Sequence, residues 1–390
     1  MQTDSNNLCA HYDKCGGCST QHIDYKTQLK KKEKMLLEIF EDNYLDTENY
    51  EGIIPSPEIF EYRNNMEFSF GDLKKGGILQ LGMHPRGKRF DVITVDKCLL
   101  IDNDFRIILK AILDYCREHN FKKYHIKTRK GFLRNLVIRK GINTGEVIVN
   151  LITTSQNSHD FTALADELYN LEYRGNIVGF IQTINDNFSD TVVSEKEIIY
   201  RGRNYFYDKL LGLKFKINSL SFFQTNTHGA ENLYAEAEKY VGSSKGKNVF
   251  DLYCGTGTIS QVIASKADNI FGIEIDKEAV KMAEENAALN NRENCHYIAG
   301  DVLEKIEEIN IKADLIIIDP PRPGINPKAL EKIAALNTPE ILYISCNPKS
   351  LARDLTELDF SGYKIKSFKA VDMFPHTKHL ETIVLLNKED

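Results

Sequence analysis

Three groups of residues have the types and spacings that chemistry requires. The first is a single thiol: Cys346 lies in Ser345-Cys-Asn-Pro348, between an apolar strand and a helix that proline opens. The partial positive charge at a helix N-terminus favours a thiolate, so this position predicts a lowered thiol pKa and a nucleophile. The second group is Cys9-x5-Cys15-x2-Cys18, followed much later by Cys98. One loop can wrap three corners of a four-thiolate metal site while a distant element closes the fourth, and the spacing leaves zinc and a four-iron cluster both open. The third is the turn Cys254-Gly-Thr-Gly-Thr258 after the strand Asn248–Leu252, in which Gly255 and Gly257 let a ligand approach the backbone where a helix begins.

The glycine turn does not suit a dinucleotide. Position 260 is serine rather than a third glycine, and Asp251 would stand close to a pyrophosphate. An acid there suits a cofactor with a positive or hydroxyl-rich portion. Glu274, at the end of the next strand, can accept from both ribose hydroxyls, and Asp301, after the third strand, can meet an adenine amino group or the loop beside it. Singly, the glycines need only make a turn and the acids only cap helices; together they lie at strand ends of one sheet, where binding sites cluster.

The elements that position these groups follow from the apolar rhythm. A charged amphipathic stretch from Asp24 to Phe40 predicts a helix. From Ile53 to Lys214 short alternating runs such as Met66–Phe70, Leu136–Lys140, Glu146–Ile152 and Gly179–Ile184 predict antiparallel strands, interrupted by helices at Asp104–Arg117 and Asp160–Leu171. After Asn218, apolar strands alternate with helical segments, the signature of a doubly wound parallel sheet. The expected architecture is α/β: residues 1–50 as a cysteine-cluster loop and helix, 51–215 as a mixed β-rich domain, and 216–390 as a Rossmann-like sheet.

The 390 residues, 42% of them hydrophobic, exclude disorder as the main state, and the apolar runs are too short to span a bilayer. Eight cysteines without an apolar leader fit a reduced, cytoplasmic protein. A net charge of −6 means that any polyanion must be met by a local patch. The densest basic segment holds Lys122, Lys123, Lys127, Arg129, Lys130, Arg134, Arg139 and Lys140, interleaved with Phe121, Tyr124 and Phe132, with His84–Arg89 as a smaller second. Such segments predict phosphate contacts and base stacking.

The acid, glycine turn, Glu274 and Asp301 in register resemble class I S-adenosylmethionine-dependent methyltransferases. Five motifs narrow this: Ser221-Phe-Phe-Gln-Thr-Asn226, the Asp251–Gly257 loop, Asp319-Pro-Pro-Arg322, Ser345-Cys-Asn-Pro348 and His379-Leu-Glu-Thr382. In this order they resemble the RNA 5-methyluridine methyltransferase family, and the cysteine pattern is similar to the iron–sulfur motif of its 23S ribosomal-RNA members. The resemblance implies that Cys346 adds to carbon 6 of uracil and that Glu381 is the base that removes the carbon-5 proton. It also implies Gln224, Tyr253 and Asp319 as cofactor contacts. Because such chemistry draws the base out of its stack, Phe222 is either a ring that stacks on a flipped uracil or a buried core phenylalanine. By the same resemblance Cys9, Cys15, Cys18 and Cys98 hold a 4Fe-4S cluster rather than zinc, and the substrate is ribosomal rather than transfer RNA; a monomer is expected, though the sequence does not give the oligomeric state. The related enzymes often begin with a small TRAM-like RNA-binding barrel, and the start of the matched region at Cys9 leads to the expectation that this accessory domain is missing here. A catalytically silent RNA-binding protein of the same fold would not need both Cys346 and Glu381.

Overall fold

The computed structural model describes residues 8–187, 196–242, 244–309 and 311–389. Helix α1 (Tyr25–Asp42) is started by Asp24, whose carboxylate accepts from the Thr27 N–H at 3.0 Å. Strand β1 (Tyr50–Ile54) follows. The middle region forms β2 (Asn65–Gly71), β3 (Gln80–Met83), β4 (Ile93–Thr94), α2 (Asn103–Glu118), β5 (Leu133–Lys140), β6 (Glu146–Thr153), α3 (Thr162–Asn170), β7 (Asn176–Ile184) and β8 (Lys196–Gly202). These strands make one sheet, ordered β4-β3-β2-β5-β6-β7-β8. The antiparallel expectation meets an exception in β6 and β7, which run parallel. Helix α3 carries the chain back along the sheet between them, the crossover that a parallel pair requires.

A hairpin of β9 (Tyr205–Leu210) and β10 (Leu213–Asn218) leads into the C-terminal half. There the chain forms α4 (Thr227–Val241), β11 (Ser244–Leu252), α5 (Thr258–Ile263), β12 (Ala267–Glu274), α6 (Lys277–Leu289), β13 (Cys295–Ala299) and α7 (Val302–Glu308). It continues through β14 (Leu315–Ile318), α8 (Pro327–Ala335), β15 (Glu340–Ser345), α9 (Pro348–Phe360), β16 (Tyr363–Val371) and β17 (Glu381–Lys388). The sheet order is β1-β16-β17-β15-β14-β11-β12-β13. Strands β11 to β15 pair in parallel, whereas β17 is antiparallel to both β15 and β16. This is the doubly wound α/β sheet expected from the alternation of strand and helix.

Two apolar layers explain why its central strands are continuously hydrophobic. Ile317, Leu342 and Ile344 pack with Leu233 of α4 and Val262 of α5. On the opposite face Ile316, Ile318 and Tyr343 pack with Leu330, Leu355 and, from the N-terminal helix, Leu36 and Phe40.

The expected division of the chain differs from what folds. The boundary at residue 50 runs through β1, which adds a parallel edge strand to β16 of the C-terminal sheet. The boundary at residue 215 runs through β10, whose backbone N–H groups at Lys214 and Lys216 donate to the Asn290 and Asn286 side chains, on and just after α6. Both differences arise from pairing across long sequence separations, which local periodicity does not encode. Among the described residues no helix is long and apolar enough to cross a membrane. The chain reverses direction across the sheet between β11 and β14, so the loops after these strands flank the crevice where open α/β sheets bind ligands.

Candidate active site

The loop after β11 is built around two positive-φ glycines. Gly255 has φ +54°, and Gly257 has φ +72° with the Tyr297 ring so close that a Cβ would stand 2.4 Å from its hydroxyl. Tyr253 takes the same left-handed backbone, φ +65°, without a glycine's freedom. Burial and the nearby Asp301 charge raise its hydroxyl to about 12. Glu274 closes the loop from the side: one carboxylate oxygen accepts from Gly255 N–H at 3.0 Å and the other from Asp276 N–H at 2.9 Å. Asp301 caps α7 by accepting from Leu303 N–H at 2.8 Å. Both acids therefore have a scaffolding role in the protein itself.

Asp251 is fully buried beneath this loop. Its Oδ2 accepts from Ser260 N–H at 3.1 Å and from the Ser260 hydroxyl, while its Oδ1 is buried with no partner. Burial pushes its pKa up to about 7. A buried acceptor without a donor in a ligand crevice fits a cationic cofactor group such as an amino acid ammonium.

Across the crevice three loops converge on Cys346. The carbonyl of Arg322, in the loop after β14, accepts from Asn347 Nδ2 at 3.1 Å and from Ser350 Oγ at 3.1 Å, tying that loop to the start of α9. The Arg322 guanidinium meets His379 Nδ1 at 3.2 Å, joining the segment that leads into β17. Glu381 is the first residue of β17 and only 3% exposed. Its carboxyl is raised to about 8, by burial and then by Asp319; Asp319 is itself raised to about 7, by burial and then by Asp251.

The thiol corrects one expectation. The helix N-terminus predicts a lowered pKa for Cys346, but the thiol is pushed up to about 11. Burial is the largest cause, followed by the Glu381 and Asp319 charges; Arg322 opposes them. A screened helix-terminus effect is smaller than desolvation plus two carboxylates.

Gln224 is buried, and its backbone carbonyl accepts from Asn64 Nδ2 at 2.8 Å, linking β2 to the Phe222 loop. Phe223 is core, but Phe222 is 72% exposed, a ring left available for stacking. Tyr234 of α4 is a residue that sequence patterning does not single out. Its buried hydroxyl bonds the Gln224 side chain and lies in the field of Asp319, Glu381 and Asp251, so its pKa is raised, first by burial. On an amphipathic helix it reads as one more core aromatic, and no spacing marks it.

Within the cysteine loop, the Arg86 guanidinium donates to the Cys15 carbonyl at 3.1 Å and to that of Cys18, and stacks over Tyr12 at 4.7 Å. Burial raises the Cys18 thiol to about 12, with further contributions from Cys98, Cys15 and Cys9. Cys98 is raised to about 11, by burial first and then by Cys9 and Cys15. Cys9 and Cys15 thus lie close enough to Cys18 and Cys98 to oppose their ionisation. Among the described residues no three His, Cys, Asp or Glu side chains already stand in a metal-holding geometry.

The basic stretch divides. Arg139 is buried and donates to the Asn218 and Ser221 carbonyls, supporting the Phe222 loop from below. Lys140 is buried against Asp102 and Asp104, and Arg134 donates to the Asn185 and Asn187 carbonyls. These three hold structure, contrary to the expectation of phosphate contacts. Lys122, Lys127, Arg129 and Lys130 stay exposed, and Lys127 lies 5.1 Å from the ring of exposed Phe90, which Arg89 also covers.

The family model described as tRNA (uracil-5-)-methyltransferase matches residues 24–389. An uncharacterized RNA methyltransferase of Clostridium tetani is 51% identical over 98% of this chain and 84% of its own length. One from Leptospira interrogans is 34% identical over the whole of both chains. Among solved structures, the tRNA (uracil-54, C5)-methyltransferase of Pyrococcus abyssi in complex with S-adenosyl-L-homocysteine is similar with a TM-score of 0.76 and 29% identity, covering 95% of this chain and 86% of that one. The chain therefore belongs to the tRNA (uracil-5-)-methyltransferase family and is an RNA methyltransferase.

Proposed function

We propose that this protein transfers a methyl group from S-adenosylmethionine to carbon 5 of a uridine in structured RNA, through a covalent adduct at Cys346. The observation that carries this reading is the convergence of a thiol, a half-buried carboxyl and a buried one, Cys346, Asp319 and Glu381, at the mouth of a glycine-turn crevice. When bound, S-adenosylmethionine supplies an electrophilic methyl group on a sulfonium. Gly255, Tyr253, Glu274, Asp301 and Gln224 would line its site, with the unpartnered buried oxygen of Asp251 beneath them.

Carbon 5 of uracil is a weak nucleophile, which explains the need for a thiol. As the Cys346 sulfur bonds to carbon 6, the electrons of the 5,6 double bond move into an enolate, and carbon 5 becomes the attacking atom. Arg322 favours the thiolate that this addition consumes. Once carbon 5 carries its new methyl group, ionised Glu381 removes the remaining carbon-5 proton. The carbon–sulfur bond then breaks, the double bond re-forms, and the thiolate departs. Phe222 offers its exposed ring to a base drawn out of its stack.

Cys9, Cys15, Cys18 and Cys98 would hold a 4Fe-4S cluster, with zinc as the chemical alternative; either supplies a cross-link between the N-terminal loop and the middle sheet. The cysteine pattern favours a 23S ribosomal-RNA uridine. A transfer-RNA target is the second reading, favoured by the Pyrococcus abyssi likeness. Mapping 5-methyluridine by mass in ribosomal and transfer RNA, from cells with and without the gene, separates the two: the site that vanishes names the substrate.

A further inference from the structure

Glu381 is delivered by the segment Asp372–Leu380, and most of the side-chain contacts that fix this segment come from the far end of the chain. Asp372 accepts from Lys32 Nζ at 2.7 Å and from the Tyr25 hydroxyl at 2.9 Å. Lys32 also donates to the Phe374 carbonyl at 2.9 Å, and the Tyr62 hydroxyl to that of Pro375 at 3.0 Å. From the C-terminal half, Asn226 Nδ2 donates to the Met373 carbonyl at 3.0 Å.

His376 is the pivot of the segment. Its backbone is left-handed, φ +66°, a conformation that a non-glycine residue keeps only when its surroundings impose it. Gln28 is the side chain that bonds it at two points. The Gln28 Oε1 accepts from His376 N–H at 2.9 Å, and its Nε2 stands 3.1 Å from His376 Nδ1. The same amide donates to the Ile23 carbonyl at 2.7 Å and accepts from the Thr20 hydroxyl at 3.1 Å. Ser19 and Thr20, directly after Cys18, donate their N–H groups to the His376 carbonyl at 2.9 and 3.1 Å. Phe60 stacks on the imidazole at 4.7 Å.

We infer that Gln28, on the helix that follows the cysteine loop, is a positioning residue for Glu381: it holds the left-handed turn at His376 and thereby the angle at which β17 presents the base. The inference rests on the proposed roles of Cys346 and Glu381. Gln28 is uncharged, so removing it unpins the turn without leaving a buried ion, which removing Lys32 would do. A base displaced by about 1 Å loses roughly a hundredfold in rate. Because Glu381 acts only after methyl transfer, the loss should fall on release of the product and not on formation of the adduct.

The test uses the full chain with S-adenosylmethionine and a uridine-containing RNA, following the Cys346–RNA adduct on denaturing gels. Gln28→Ala should form adduct at the wild-type rate, release it roughly 10- to 100-fold more slowly, and so accumulate it, with unchanged KM for RNA and unchanged S-adenosylhomocysteine affinity. Gln28→Met keeps the length of the side chain and adds no charge but loses every hydrogen bond to the turn, and should slow release about 10-fold or more. Wild-type release by a folded Gln28→Ala protein overturns the inference, as does an equal loss of adduct formation and release. If the alanine variant does not fold, wild-type release by Gln28→Met overturns it. Absence of any Cys346-dependent adduct when wild-type protein meets 5-fluorouridine RNA overturns instead the mechanism beneath it.

Discussion

Carboxylates stand at strand ends on both sides of the crevice, but they live differently. At the glycine turn, Glu274 and Asp301 are bonded to backbone N–H groups and reach the surface. At the Cys346 pocket, half-buried Asp319 and buried Glu381 are crowded together, with pKa values near 7 and 8. One residue type thus does two jobs. A carboxylate satisfied by amides shapes a loop and offers its remaining lone pairs to hydroxyls. A carboxyl pressed against another in low dielectric takes and gives protons near neutral pH.

The sharpest way to break this contrast is to remove the thiol on which the buried pair acts. Cys346→Ala should lower methyl transfer on the order of a thousandfold or more and abolish trapping by 5-fluorouridine RNA, while leaving S-adenosylhomocysteine binding intact by calorimetry. Glu381→Gln should lower turnover by about 10²- to 10⁴-fold and accumulate adduct. The wild-type release rate should climb with pH as Glu381 ionises and level off above about 8, and the glutamine variant should lose that slope.

The same group makes a stability prediction of defined sign. A carboxyl raised in the folded state contributes stability below its unfolded pKa and loses it as pH rises through about 8. Glu381→Gln should therefore melt about a few degrees higher than wild type at pH 9, with no such gain at pH 4. On the other side of the contrast the effects should be smaller. Glu274→Gln should raise KM for S-adenosylmethionine about tenfold with kcat little changed, and Asp301→Ala about threefold. If Glu274→Gln instead reduced kcat as far as Glu381→Gln, the division of labour would collapse.

Much of this site is legible in the order of residues because its parts are local. A strand, a tight turn and a capped helix place Gly255, Asp319 and Cys346 on one edge of the sheet, and apolar rhythm with proline at the helix start is enough to read them. What is not legible is what arrives from elsewhere. The thiol of Cys346 is raised first by burial and then by Glu381 and Asp319, which reach it only through the β15–β17 and β14–β15 pairings. Arg139 and Lys140 read as surface charges until Ser221, Asp102 and Asp104 are folded against them. Tyr234 is marked only by the acids around it.

The edge strand β1 has a consequence for how the protein is made. Residues 50–54 leave the ribosome long before their partner β16 at residues 363–371 exists. Until then the apolar side of α1, Leu36 and Phe40, has no sheet to cover. Contacts of such long separation slow folding and leave sticky surface open during synthesis. The charge-rich sequence Lys30-Lys-Lys-Glu-Lys34 on α1 keeps that waiting helix hydrated. The C-terminal sheet is thus finished by a strand made well before the rest of it, and it cannot be cut out at residue 216 and remain whole.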